Sequence, residues 1–212
     1  MAAQQPETVA PSRRGERTAA RLRDAAREAF AQLGWLGTRV EDIVQRAGVS
    51  HGTFYTYYEN KAAVLADLVA GSQREFDALS DQPWEADDVR GAIERIIGGV
   101  LDVYTRDAVL MRTWVQAARD DPSFGDLYLG SRARFVERVT QQVAAVLGAS
   151  GRQDGPPADT VASALVAMVE HFAYCWLVLG EAHTRDDALR SLVTVWGGAL
   201  NAVAGFEVVK GL

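Results

Sequence analysis

Three observations predict an all-α fold. Apolar residues recur at helical spacing from Glu16 almost to the end of the chain. No run alternates apolar and polar residues with period two for long enough to read as a strand. Glycine, proline and aspartate breaks separate the periodic runs at helix-length intervals. The composition, 48% hydrophobic and 24% charged over 212 residues, is ordinary for a globular protein and excludes a disordered or collagen-like chain.

Residues 1–15 are polar, hold two prolines and lack apolar periodicity, which predicts a mobile tail. From Glu16 to Leu33, Ala19, Leu22, Ala26, Ala29, Phe30 and Leu33 line one helical face, and Gly34 ends the helix. Thr38 is placed to cap a short helix, Val40–Ala47, with Glu41 completing a capping box. Gly48 stops that helix, and Ser50 caps a third that runs to about Tyr57. A long helix follows from about Lys61 to Leu79. After the Asp81-Gln82-Pro83 break come helices over 87–105, 107–118 and 123–147, the last with a bend near Gly130. Residues 148–157 read as a flexible linker, and helices over about 158–180 and 186–204 complete the chain. The domain division is a tail over 1–15, a small domain over 16–62 and a larger helical domain over 63–212.

Net charge is −6, which argues at first against a polyanionic partner. Its distribution reverses that. Residues 1–61 hold nine Lys/Arg against seven Asp/Glu, and residues 62–212 hold thirteen against twenty-one. Only the first part tolerates a phosphate backbone. The single cysteine, Cys175, excludes an internal disulfide and a multi-cysteine metal site. It fits a reducing cytosol, and no apolar segment follows the N-terminal arginines as a secretion signal requires, so a cytoplasmic location is expected.

Residues 37–61, GTRVEDIVQRAGVSHGTFYTYYENK, form a helix-turn-helix pattern, with the motif itself at about 39–58. Gly48 permits the positive φ of the reversal, and Ile43, Val44 and Val49 set the angle between the helices. Phe54 and Tyr58, four apart, face inward. His51, Gly52, Thr53, Thr56 and Tyr57 face outward, with Tyr55 at the side. A recognition helix puts such N-terminal residues against base edges in the major groove. Gly52 allows close approach, and Thr53 offers a hydroxyl and a methyl to bases or phosphate. Tyr55, Tyr57 and Lys61 have the reach for phosphates. Thr38 and Arg39 lie at another helix N-terminus, where amides favour a phosphate. The candidate DNA-binding set is therefore Thr38, Arg39, Ser50, His51, Gly52, Thr53, Tyr55, Thr56, Tyr57 and Lys61.

This stretch resembles the TetR family of bacterial transcriptional regulators. Ala47-Gly48-Val49-Ser50, Gly52-Thr53, Tyr55, Tyr57 and Lys61 match the family pattern in order and spacing. Ala25-Ala26-Arg27-Glu28-Ala29-Phe30 with Gly34 is similar to its first helix. Tyr58 and Val44 depart from the usual Phe and Ala. The motif resemblance covers about residues 17–68; beyond it only length and helical layout are similar. It implies a homodimeric repressor whose third helices enter successive major grooves of a palindromic double-stranded operator. A small apolar or aromatic effector in the larger domain would shift the fourth helix and release the DNA. An activator, or a regulator whose effector strengthens DNA binding, is the alternative.

The remaining features have competing readings. Arg13, Arg14, Arg17, Arg21 and Arg23 read equally as a DNA-backbone arm and as a solvated face partnered by Glu16 and Asp24. The helix over 158–180 is apolar nearly all round, but Glu170 and His171 at its centre and the lack of basic flanks argue against a membrane span. With the helix over 186–204 it fits a four-helix homodimer interface. Tyr104, Met111, Trp114, Phe124, Tyr128, Met168, His171, Phe172 and Trp176 are the candidate ligand-pocket residues, with Tyr104 or His171 as the orienting polar group. His171, Cys175 and His183 do not complete a metal set, so no metal is expected. The pairs Asp87-Asp88, Asp120-Asp121 and Asp186-Asp187 sit at helix ends, where capping explains them. No nucleophile elbow, phosphate loop or dinucleotide fingerprint is present, so neither an enzyme nor a cofactor is expected.

Overall fold

The computed structural model describes residues 13–85, 87–150, 155–205 and 207–211, without the side chains of 149 and 150. These form α1 (Arg13–Gly37), α2 (Val40–Ala47), α3 (His51–Tyr57), α4 (Lys61–Ser80), α5 (Val89–Asp120), α6 (Pro122–Ser150), α7 (Ala158–Leu177) and α8 (Arg185–Ala204). No strand occurs among the described residues. Most of the expected tail, residues 1–12, lies outside them, while residues 13–15 already belong to α1. The chain divides after Leu68 into two compact units.

The first unit is built around α1. Leu22, Ala25, Ala26, Ala29 and Phe30 are buried along one stripe, as their spacing requires. Gly34 interrupts α1 at φ 68°, a conformation open to glycine, and one further turn ends at Gly37. That turn buries Trp35, whose ring tilts against Phe30 at 6.0 Å. The cap of α2 lies one residue later than expected. Thr38 is 1% exposed and its hydroxyl donates to Gly34 O at 2.7 Å, so Arg39 takes the cap position. Asp42, rather than Glu41, then accepts the Arg39 N–H at 2.8 Å. Gly48 turns the chain at φ 61°, and Ser50 caps α3 by accepting the Thr53 N–H at 3.1 Å.

The second unit packs α5, α6, α7 and α8 around a core that includes Ile93, Ile97, Leu101, Val143, Ala162, Leu165, Trp196 and Leu200. The expected helices over 87–105 and 107–118 are one helix, α5, with a break confined to Asp107 at φ −109°, ψ 22°. Asp107 is buried, and its carboxylate accepts from Ser72 Oγ at 2.8 Å and from Arg106 at 2.7 Å. These bonds stabilise the locally open turn without ending the helix. α6 continues through Gly130 and reaches Ser150, so the start of the expected linker is helical; residues 151–154 lie outside the described set. α7 stops at Leu177, three residues short of Gly180, which takes φ 88°. It is long and apolar enough to cross a membrane by composition, yet Val161, Ala162, Leu165, Val166, Val169 and Ala173 are buried in the core.

Candidate functional site

In the first unit, α3 has one fully buried residue. Phe54 is fully buried, while His51, Gly52, Tyr55 and Thr56 are exposed and Thr53 and Tyr57 are half-buried. A helix of seven residues does not persist alone, so Phe54 and the Ser50 cap set its position. Its outer face is small and polar, and the Thr56 hydroxyl is turned back onto Gly52 O at 3.0 Å. A Cβ built on Gly52 would meet nothing nearer than Ser50 Oγ at 3.8 Å. The protein's own packing therefore does not require glycine there.

Two of the expected DNA contacts are used inside the fold. Thr38 is buried and bonded to Gly34, so its hydroxyl cannot reach a phosphate. Lys61, expected at phosphate, turns inward: Nζ donates to Trp35 O at 2.7 Å and Thr38 O at 2.8 Å, and lies 4.4 Å from the Trp35 ring centroid. It ties α4 to the segment joining α1 and α2. Ser50 is exposed, but its hydroxyl serves the α3 cap and meets Thr53 Oγ1 at 2.9 Å. Arg39 is exposed at the start of α2.

The arginines of α1 divide. Arg21 donates to Ala47 O and Gly48 O, satisfying carbonyls at the end of α2, and Arg23 pairs with Asp67 at 3.3 Å. Both side chains thus have partners inside the unit, other than the Glu16 and Asp24 expected from the sequence. Asp67 also accepts from Tyr58 Oη at 2.7 Å. Burial, then Asp67, push the Tyr58 pKa from 10.0 up to about 12 against the opposing Arg23. Folding therefore favours the neutral phenol. Its contribution to stability is fully present below pH 10 and is lost as pH rises through about 12. Across that window the melting temperature of the parent is expected to fall more steeply than that of Tyr58→Phe; parallel curves would show that the phenol contributes nothing.

A cavity of about 390 Å³ opens in the second unit, a volume suited to a small organic molecule. α4 contributes Phe76, and α5 contributes Ile97, Val100, Tyr104, Met111 and Trp114. α6 adds Tyr128, Arg132 and Phe135, α7 adds Val166, Val169, Glu170 and Tyr174, and α8 adds Trp196. Of the residues predicted from sequence, Tyr104, Met111, Trp114 and Tyr128 lie on this wall. Phe124 does not line it: its side chain is buried and its carbonyl accepts from Trp114 Nε1 at 3.1 Å. Met168, His171, Phe172 and Trp176 also lie off the cavity. At 100° per residue, the α7 stripe through Val166, Val169, Glu170 and Tyr174 turns Met168, His171 and Phe172 to the other side. His171 instead approaches Cys175 Sγ at 3.5 Å, and Phe172 stacks on His183 at 5.1 Å.

Sequence reasoning missed the charged pair on the wall. Arg132 Nε donates to Glu170 Oε2 at 3.0 Å, and Arg132 Nη2 reaches Ser163 O and Oγ at 3.1 and 3.3 Å. Burial raises the Glu170 pKa above the ordinary carboxylate value against the opposing effect of Arg132. Burial, then the charge of Glu170, raise the phenol pKa values of Tyr104 and Tyr128.

Comparisons with known proteins bear on both units. Residues 22–68 match the family model described as bacterial regulatory proteins, tetR family. Residues 93–203 match the C-terminal domain of the transcriptional regulator EthR. The HTH-type transcriptional repressor SCO4008 of Streptomyces coelicolor is 30% identical over 156 residues, 72% of this chain and 77% of that protein. The HTH-type transcriptional regulator EthR of Mycolicibacterium smegmatis is 27% identical over 155 residues, 72% of this chain and 68% of that protein. The fold is similar to that of the TetR family transcriptional regulator PfmR from Thermus thermophilus. That likeness has a TM-score of 0.69 at 16% identity, covering 83% of this chain and 96% of that one.

Proposed function

The chain belongs to the TetR family of transcriptional regulators, and from that membership we propose that it is a cytoplasmic, homodimeric repressor released from a palindromic operator by a small apolar or aromatic effector. The observation that carries this reading is the form of α3: one buried anchor, Phe54, beneath an exposed face of His51, Gly52, Tyr55 and Thr56 with Thr53 half-buried beside them. That face suits the major groove, with Tyr55, Tyr57 and Arg39 in reach of the backbone. Lys61 positions the head from within and is not assigned a phosphate. The family's activity is regulatory, not enzymatic.

α7 and α8 supply the homodimer interface in this reading. Only 33% of the apolar window of α7 is buried inside the chain, and Val195 of α8 is 55% exposed. Met168 and Phe172, turned from the cavity, and Trp176 near the end of α7 are the apolar residues that a second copy would cover. The effector site is the cavity of the second unit, whose wall is mainly apolar with few polar groups.

Selection of bound duplexes from a random library is the test. An inverted repeat with half-sites about one helical turn or more apart is the expected result. Gly52→Ala should weaken binding to that repeat by roughly tenfold while leaving the melting temperature equal or higher, since alanine is favoured over glycine in a helix by about 1 kcal/mol. No enriched sequence, or undiminished binding by Gly52→Ala, would overturn the placement of α3 against bases.

A further inference from the structure

The geometry points to a lipophilic organic cation as the effector, its charged nitrogen held by Glu170 among the rings of Tyr104 and Tyr128. This inference rests on the cavity being the effector site and names the chemistry that the cavity selects.

Glu170 is the one acidic residue among the described residues that line the cavity. A carboxylate in a mainly apolar wall is costly unless its charge is answered. Among the described residues the answer is partial: one hydrogen bond, from Arg132 Nε to Oε2. A carboxylate has room for about four donors. Arg132 spends its other contacts on Ser163 O and Oγ, along α7. The positive end of the pair is thus engaged with the helix.

The phenols of Tyr104 and Tyr128 share the cavity wall with this pair. The charge of Glu170 disfavours ionisation at both Tyr104 and Tyr128, and at Tyr128 it outweighs the opposite effect of Arg132. Of the two charges, the negative one acts more strongly on the Tyr128 phenol. Those rings add negative faces of their own. Tyr104 tilts against Phe76 at 6.0 Å, and Tyr128 meets Trp114 edge-on at 5.7 Å. Aromatic faces together with one carboxylate attract a desolvated cation, whereas a neutral ligand gains only the apolar burial. The other charged lining residue, Arg119, is exposed near the end of α5, so its charge is screened by solvent.

Three planar probes of nearly equal size separate the alternatives: N-methylacridinium, acridine held neutral at pH 8, and acridine-9-carboxylate. Titration of the full chain by calorimetry is expected to give the cation an affinity at least roughly tenfold above the neutral probe, with the anion weakest. Glu170→Gln should reduce cation affinity by about tenfold or more and leave the neutral probe within about twofold. Equal or tighter binding of the neutral or anionic probe would overturn the inference. So would a Glu170→Gln effect equal on all three, the mark of a structural role. Ala118→Trp, at a half-buried lining position, places an indole in the cavity and should block every probe. Neutral binding blocked by this change without cation preference would leave the cavity reading standing and this inference rejected. No binding by any probe, or binding untouched by Ala118→Trp, would reject both.

Discussion

Phe54→Ala is expected to unfold the helix-turn-helix unit and abolish DNA binding at 25 °C. The ring is fully buried, meets Tyr55 edge-on at 5.4 Å and tilts against Tyr58 at 6.0 Å. Its removal costs about 3–5 kcal/mol, the range for large aromatic truncations in a core. A unit this small rarely has more than about 5 kcal/mol to lose. Nothing else among the described residues anchors the middle of α3, because Ser50 acts only at its start and the outer residues face solvent. Hydrogen exchange should show residues 16–60 losing protection while the α5 and α8 amides keep theirs. Tyr55→Ala, at a residue 58% exposed, should leave that protection intact. A Phe54→Ala protein that still protects α2 and α3 would mean the anchor lies elsewhere.

Local signals made much of this fold legible. α2 and α3 end where glycine, serine and apolar spacing place them, because caps and turns act over only a few residues. The exposed face of α3 followed from the inward pair Phe54 and Tyr58 in the same way. Contacts between distant residues were not legible. The long, charged side chain of Lys61 suits a phosphate, but its partners Trp35 and Thr38 lie more than twenty residues earlier. Arg21 and the turn at Ala47 and Gly48 form a similar distant pair. α7 is a different case. Being apolar nearly all round, it carries no stripe that marks the cavity side, so Met168, Phe172 and Trp176 could not be separated from Val166 and Val169. One signal was available: Glu170, an acidic residue inside an apolar helix, is costly without a role. Its partner Arg132, thirty-eight residues earlier, emerges only from the fold.

Trp196 ties the stability of the second unit to its cavity, and Trp196→Ala is expected to be the most damaging single change there. The side chain is 1% exposed, packs against Trp84 at 6.0 Å and donates Nε1 to Leu165 O at 2.9 Å. Truncation leaves a void continuous with the existing cavity, at a cost of about 3–5 kcal/mol. It also leaves the Leu165 carbonyl without its indole donor. Trp196→Phe separates the two effects, because it keeps most of the apolar volume and removes the N–H donor. The alanine variant should melt well below the parent and the phenylalanine variant between them. An apolar ligand that fills the enlarged space should raise the melting temperature of the alanine variant more than that of the parent. That differential rescue is the informative quantity, since a loss of stability alone would follow from burial anywhere in the core. Equal ligand shifts in both proteins would place the ligand away from Trp196, in disagreement with the lining of the cavity by this residue.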